Sequence, residues 1–586
     1  MSLVSSRSRW WRLLAILFVF SLLAAACGDD DDDDGAAGDD GGVETTDAGG
    51  DDASDDGGDA ASDDSSDDAS DDASDAASDD TADGAGEDEG ADDSGTDGEM
   101  TPTPGGSATY LMFSEITSLD PLQLTNSGGS DGNRSIAIYG SLVRLNNATG
   151  EIEPFMAESL TPNDDFTVWT LVLKPGILFS DGEPYDAEAV KFNWERLRDT
   201  EGSVQAANTS SIVELNVIDD VTLEVVLENS DAAFDANVSR RLFAIGSPKA
   251  IEERGDEFAT NPVGAGPFML EDWVRDDRMV LVKNPNFFLA DEGMPYLDEM
   301  ILRVVNDEPQ RFRTFDEGEA ELMYTQQSAT IADVREAGYG IYELLSEGGQ
   351  NINFNTTRPP FDDPDVRRAF MMSVDLETLN TVVNNGGGIP ARGMFNEESP
   401  YYVDAPWPTF DCDAAKTLWG ELADANGGPI SFVFGVFQGN SEVTVEAMQA
   451  MLIQCSDGNL EVEIEVNEAG TAVAKNFGND FDAHNWGVQF FFDPLAGLRS
   501  NLMCDSPQNS TRYCNADFDA AMNEAASLPP AERGPAYEQV QQILAEDNPI
   551  FWIFRSQITT SYQDNIHGVE LFEEGLLKFE QVWMDQ

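Results

Sequence analysis

Residues Phe166 to Arg198 read FTVWTLVLKPGILFSDGEPYDAEAVKFNWERLR, and this stretch decides the fold. Phe166 to Leu173 is rich in β-branched, aromatic and apolar residues, which predicts a buried strand. Lys174-Pro175-Gly176 ends it in a tight turn. Ile177-Leu178-Phe179 predicts a short second strand, stopped by the turn signal Asp181-Gly182. Asp186 is placed to cap a helix, with Glu188 in the first turn, where the helix dipole favours negative charge. Val190, Trp194 and Leu197 follow at spacings of four and three and give that helix one apolar face.

The chain around this unit has 586 residues, 41% hydrophobic and 24% charged. That length predicts two to four domains. The formal charge is -81, unevenly spread. Gly28 to Met100 holds 32 Asp plus Glu and no Lys or Arg, and the residues before Cys27 hold three Arg and no acid. The remainder sets 28 Lys plus Arg against 80 Asp plus Glu, near -52. Such a surface repels nucleic acid and anionic membranes, which excludes both as partners through basic patches. It is the balance expected of a protein working in salty water, where screening weakens self-repulsion.

Residues 1–27 predict an export signal. Arg7, Arg9 and Arg12 supply the positive start, and Leu13 to Leu23 is an apolar run too short for a permanent membrane span. Leu23-Ala24-Ala25-Ala26-Cys27-Gly28 resembles a lipoprotein signal, which implies lipid attachment at Cys27 and anchoring on the outer face of the cytoplasmic membrane. The usual Leu at the third position before the Cys is here Ala24, with Leu23 one step further out. The alternative is an ordinary signal peptide cut after an Ala-x-Ala site. Residues 28–105 are short repeats of Asp, Ser, Ala and Gly without the apolar content that offsets ordering entropy, so a disordered acidic linker is expected. The Asp pairs lack the spacing and the closing Glu of a calcium loop.

The Phe166–Arg198 stretch resembles the signature of the extracellular solute-binding proteins of ABC importers, family 5, the oligopeptide, dipeptide and nickel-binding type. The positions that carry the resemblance are Lys174, Gly176, Phe179, Asp181, Gly182, Pro184, Ala187 and Val190. A second match is Pro262-Val263-Gly264-Ala265-Gly266-Pro267-Phe268, followed by Asn284-Pro285-Asn286-Phe287. A third is Ile352-Asn353-Phe354-Asn355, then Pro360-Phe361, then Val366-Arg367-Arg368-Ala369. Leu119-Asp120-Pro121 and Pro154 to Ser159 are weaker matches upstream. Downstream, Ser431–Val436 and Leu460–Val466 predict strands flanking a helix over Val443–Gln454, a βαβ unit of a parallel sheet. Asp411 to Trp419 and Ala531 to Asn548 predict helices, and Pro549 to Phe554 a buried strand.

The resemblance implies an α/β, periplasmic-binding-protein-like (type II) two-lobed clamp with an extra α+β subdomain. The expected division puts 106–148, 253–348 and 555–586 in lobe I, 149–252 in the extra subdomain, and 349–554 in lobe II. It further implies a monomeric, non-enzymatic lipoprotein that takes a peptide-like or other small solute between its lobes and passes it to ABC permease subunits. A surface sensor or adhesion protein using the same clamp without transport is the alternative. No catalytic constellation is legible: His484 and His567 lie far apart without metal-ligand spacing, and there is no nucleophile elbow or phosphate loop. No cofactor is expected.

Cys412, Cys455, Cys504 and Cys514 are an even set, which in an exported chain predicts disulfides with three possible pairings. The family resemblance favours Cys504–Cys514, leaving Cys412–Cys455; zinc is the alternative, against which no Cys-x-x-Cys occurs. The expected ligand region is His484 to Arg499, HNWGVQFFFDPLAGLR. It resembles the family loop of a Trp, an Asp that pairs with a peptide's amino terminus, and an Asp-Pro. Trp486 and Asp493-Pro494 match. The first acidic position falls on Gln489, and one extra residue precedes Asp493. A glutamine donates and accepts hydrogen bonds, which suits a neutral ligand; the alternative shifts Asp493 into the ammonium role. His484 is a further candidate beside Trp486. Phe490, Phe491 and Phe492 either stack on ligand or fill the core. Glu115, Asn351 and Asn353 are candidates because the first loop and the lobe crossing face the cleft in the family.

Overall fold

The structure, a computed structural model, describes residues 101–147, 149–490 and 493–585. The expected signal, lipid attachment at Cys27 and most of the acidic linker lie outside the described residues, as do Phe491 and Phe492.

The deciding stretch forms a strand at Val168–Leu173 and a helix at Ala187–Asp199. Phe166 sits in a turn at positive φ (56°), so the strand begins two residues later than expected. Asp186 caps the helix by accepting from Ala189 N at 2.9 Å. Val190, Trp194 and Leu197 are all buried. The second expected strand, at Ile177–Phe179, shrinks to a single bridge between Leu178 and Pro184. Phe179 N donates to Glu183 O and Gly182 N to Phe179 O, so the segment folds back on itself before a ladder can grow.

The Val168–Leu173 strand lies inside a four-stranded antiparallel sheet with Ala157–Pro162, Thr222–Leu227 and Ile212–Asp219. That sheet has no core of its own. Trp169, Leu171, Leu223 and Val225 share one apolar cluster with Tyr110, Met300 and Leu302 of a larger sheet. The larger sheet has seven strands in the order Gly340–Leu345, Gln557–Tyr562, Leu322–Thr325, Ser107–Met112, Glu299–Val304, Arg278–Lys283 and Phe268–Val274. Ser107–Met112 runs parallel to both of its neighbours.

Three sequence motifs meet on one another at this junction. Ser180 N donates to Gly264 O at 2.9 Å, and Asn286 Nδ2 donates to the carbonyls of Phe179 and Ser180. Asn284 Nδ2 donates to Gly266 O at 2.8 Å, and Gly266 N to Ile138 O at 2.8 Å. The two glycines let the loop lie against the end of the helix Gly132–Tyr139. A Cβ on Gly264 would stand 2.1 Å from Ile138 O, and one on Gly266 2.7 Å from Ala137 O.

A second sheet has five strands in the order Leu460–Asn467, Ile430–Phe437, Ala483–Phe490, Glu347–Phe354 and Ile550–Phe554. Ile430–Phe437 and Leu460–Asn467 are parallel, joined through the helix Asn440–Gln454, as the βαβ reading predicts. Helices cover both faces, giving two apolar clusters. One gathers around Ile352, Phe370 and Phe434, the other around Trp486, Tyr537 and Trp552. Within the Val-Arg-x-Ala motif, Val366 and Ala369 enter the first cluster. Arg367 donates to Phe361 O and, through two nitrogens, to Asp547 O at the end of the helix Gly534–Asp547. That helix starts later than the predicted Ala531. Pro535 fits its first turn, where no backbone donor is needed, and residues Pro530–Glu532 form a separate 3₁₀ turn. Two disulfides lie in this half: Cys412–Cys455 joins the start of the helix Cys412–Asn426 to the end of Asn440–Gln454, and Cys504–Cys514 closes a short loop.

Because the Gly264 contact is backbone on backbone, neither side can yield cheaply. Gly264→Ala is expected to lower unfolding free energy by about 2 kcal/mol or more, read as a lower denaturant midpoint at unchanged slope.

Candidate ligand cleft

The chain passes between the two sheets twice. Gly340–Leu345 in the first runs through Ser346 into Glu347–Phe354 in the second, and Ile550–Phe554 returns through Arg555 and Ser556 into Gln557–Tyr562. The crossings are bonded to each other. Ser346 N donates to Ser556 O at 3.0 Å, and Ser556 N to Ser346 Oγ at 3.2 Å. Arg555 is buried at the crossing and donates to the carbonyls of Gly348, Met394 and Phe395. Glu347, 3% exposed, accepts from Asn396 N at 2.7 Å. Burial pushes its carboxyl up to about 7, offset in part by hydrogen bonds from Ser399 and Asn396 and by the Arg555 charge.

Ligands of α/β sheets settle beyond the carboxyl ends of parallel strands. In the first sheet the parallel strands Ser107–Met112 and Leu322–Thr325 end at Phe113-Ser114-Glu115 and Gln326-Gln327. Thr325 is paired with Thr559, two residues past Gln557, so these ends lie beside the crossing. In the second sheet Ile430–Phe437 and Ala483–Phe490 run parallel and end at Gln438 and Gln489-Phe490. Phe490 is paired with Glu347, which brings those ends to the same crossing.

The expected site residues separate into two groups. Asn351, Asn353, His484 and Trp486 come together on one face of the second sheet, in register as Asn351 with Trp486 and Asn353 with His484. All four are buried. Asn351 Nδ2 donates to Asn353 Oδ1, and Asn353 Nδ2 to Asn476 Oδ1 and Ser510 Oγ. Trp486 packs against Phe437 and Phe477. The His484 ring is bonded through Nδ1 to Asn485 O at 2.6 Å, and burial pushes its pKa down to about 4, so it is neutral. These residues build the floor beneath the cleft edge.

Gln489 is different. It is exposed at the strand end, paired with Gly348. Asp493 is already engaged: Arg533 Nη1 pairs with Oδ2, while Tyr537 OH and Leu495 N donate to Oδ1. The ammonium role considered for Asp493 would therefore have to displace Arg533 and Tyr537. Glu115 is half-buried and accepts from Ile116 N and from Asp276 N, which ties the first loop to the turn after Phe268–Val274. Phe490 is half-buried against the Trp486 cluster. Glu347, Gln350 and Arg555 were not legible as site residues, because only the pairing of distant strands brings them to the crossing.

The family model described as bacterial extracellular solute-binding proteins, family 5 Middle, matches residues 151–509. Among curated relatives, the glutathione-binding protein GsiB of Salmonella paratyphi A (strain ATCC 9150 / SARB42) is 26% identical over 477 residues, spanning 78% of this chain and 90% of that protein. Among solved structures, HbpA2 from Haemophilus parasuis aligns with a TM-score of 0.73 at 21% identity, covering 82% of this chain and all (100%) of that one. The periplasmic binding protein DppA from Helicobacter pylori, in complex with the peptide STSA, aligns with a TM-score of 0.62 at 23% identity, covering 83% and 99%. These neighbours share the type II two-lobed fold.

The crossing carries a testable pH signature. The native state holds the Glu347 proton up to about 7, whereas an unfolded carboxyl releases it near 4.5. Stability from this group is therefore full below 4.5 and is lost as pH rises towards 7. The Glu347→Gln variant lacks this loss. Its unfolding free energy relative to wild type is expected to improve by up to about 3 kcal/mol between acid and mildly alkaline buffer, measured by urea denaturation at each pH.

Proposed function

The chain belongs to the bacterial extracellular solute-binding proteins, family 5, and from that premise we propose that it captures an oligopeptide or similar small solute between its lobes and delivers it to the permease of an ABC importer. The observation that carries this reading is the pair of bonded crossings at Ser346 and Ser556, with the open carboxyl ends of the inner strands of both sheets beside them. Two halves held at one line can turn about it and enclose a solute, the hinge closure seen in binding proteins of this kind. The names of its relatives point to peptides: GsiB binds glutathione, and DppA from Helicobacter pylori was solved with a peptide.

Lipid attachment at Cys27 and the acidic stretch after it fit the same role. They would hold a monomeric binding domain on the outer face of the cytoplasmic membrane, within reach of the permease. No helix among the described residues is long and apolar enough to cross a membrane.

The exposure of Gln489 at its strand end supports a role for it in meeting the solute from the second lobe. Anything that binds only the native state raises its melting temperature by mass action, so a thermal-shift screen of peptides, glutathione and oligosaccharides identifies the ligand. Gln489→Ala is then expected to weaken its affinity about tenfold, the value of one good hydrogen bond in a closed site. Unchanged affinity in isothermal titration would remove Gln489 from the site.

A further inference from the structure

We infer that Arg240, on the helix Phe234–Arg240, takes a free carboxylate of the solute held in the cleft. This rests on the solute-capture reading above and names one end of the solute. A short chain of contacts leads from the strand ends beside the crossing to this residue. Gln326, exposed just past Leu322–Thr325, donates to Tyr324 OH at 2.8 Å. A Cβ on Gly129 would stand 3.3 Å from both of those groups, and one on Gly575 3.4 Å from the Tyr324 ring. Gly128 lies against the same turn, since a Cβ there would stand 2.1 Å from Glu574 O. Glu574 pairs with Arg240 and Arg241. The start of the helix lies within electrostatic reach of the opposite lobe. Burial pushes the Asp235 carboxyl up to about 6, and the Ala236 amide and the Arg533 charge pull it back.

The other guanidiniums of this region are spent on the fold. Arg241 donates to Thr125 O and pairs with Glu574 at 2.8 Å. Arg134 donates to Ser130 O and Ser114 O, Arg533 to Ala525 O and Leu528 O, and Arg555 to three carbonyls. Arg240 differs. Its Nη2 pairs with Glu574 Oε1, the same oxygen that Arg241 uses, and its Nε has no partner. Its side chain is 40% exposed, against 22% for Arg241.

The nearby acids do not complete the pairing. Glu573 is buried, accepts from Ser239 Oγ at 2.6 Å, and is pushed by burial towards its neutral form. Asp131 accepts from Thr125 N and Thr125 Oγ1. One carboxylate oxygen therefore serves two guanidiniums, and the outer one keeps an open side. A guanidinium presents a planar fork that matches a carboxylate, and the pairing strengthens where water is excluded. A solute carboxylate seated on Arg240 supplies the missing half of its counter-charge.

The test measures binding by the full chain in isothermal titration. The probes are a library of tri- to pentapeptides with free ends, the same library amidated at the C-terminus, and glutathione beside its diethyl ester. Wild type is expected to bind the free-carboxylate forms about tenfold or more tighter than their capped partners. In Arg240→Gln that preference should shrink to about threefold or less, while affinity for the capped forms stays the same. Its unfolding transition should not move, because Glu574 keeps Arg241. Arg240→Lys, which keeps the charge and loses the fork, is expected to fall in between. Arg392, exposed on the opposite lobe beside the crossing, supplies the control. Equal binding of free and capped forms by wild type overturns the inference and leaves solute capture standing. An undiminished preference in Arg240→Gln, or its loss in Arg392→Gln instead, also overturns it. Absence of binding by every probe overturns this inference and the oligopeptide reading together.

Discussion

Ser346 and Ser556 sit side by side where the chain passes between its two sheets, each lending a backbone amide to the other. The rest of the architecture depends on this zipped pair. Two unbonded crossings would let the halves twist and slide independently. Bonded, they leave rotation about their common line as the cheapest relative motion, because it breaks no ladder in either sheet. Arg555 reinforces the line by binding three carbonyls from the segments that flank it. The strand ends of both sheets gather beside it.

The charge distribution follows a division of labour. Cations are scarce, 31 Lys plus Arg against 112 acids, and several are placed inside. Arg134, Arg311 and Arg533 are almost fully buried. Arg311 donates to the carbonyls of Tyr324 and Val305, and Arg533 to Ala525 and Leu528. The guanidinium suits this use because its fork of donors reaches several carbonyls at once. These buried guanidiniums pin carbonyls of the interior, while most of the acids stay outside.

Much of the fold was legible in local pattern. The capped helix after the Asp181-Gly182 turn, the parallel unit around Asn440–Gln454 and the two glycines at 264 and 266 all follow from short-range chemistry. The family motifs have a physical reading too: three of them are the surfaces on which Phe179, Gly264 and Asn286 meet. Ile177–Phe179 was misread because a turn hydrogen bond competes with strand pairing, and nothing in its composition reveals which wins. The site was less legible. Asn351, Asn353 and His484 carry the right chemistry for binding, yet their neighbours bury them under the helix Ala469–Gly478 and the Ser510 loop. Gln350 and Arg555 carried no local signal. Their roles come from pairing between strands about 200 positions apart in the chain.

The strand Gln557–Tyr562 lies between Leu322–Thr325 and Gly340–Leu345, in the interior of the seven-stranded sheet. The other half, by contrast, is one uninterrupted run of chain from Glu347 to Phe554. The two halves therefore cannot mature on the same schedule. The continuous half has every partner it needs once residue 554 exists, disulfides included, while its companion holds a slot open for a strand made only after that half is complete. A chain that stops short of Gln557 would carry a finished half beside one lacking its keystone.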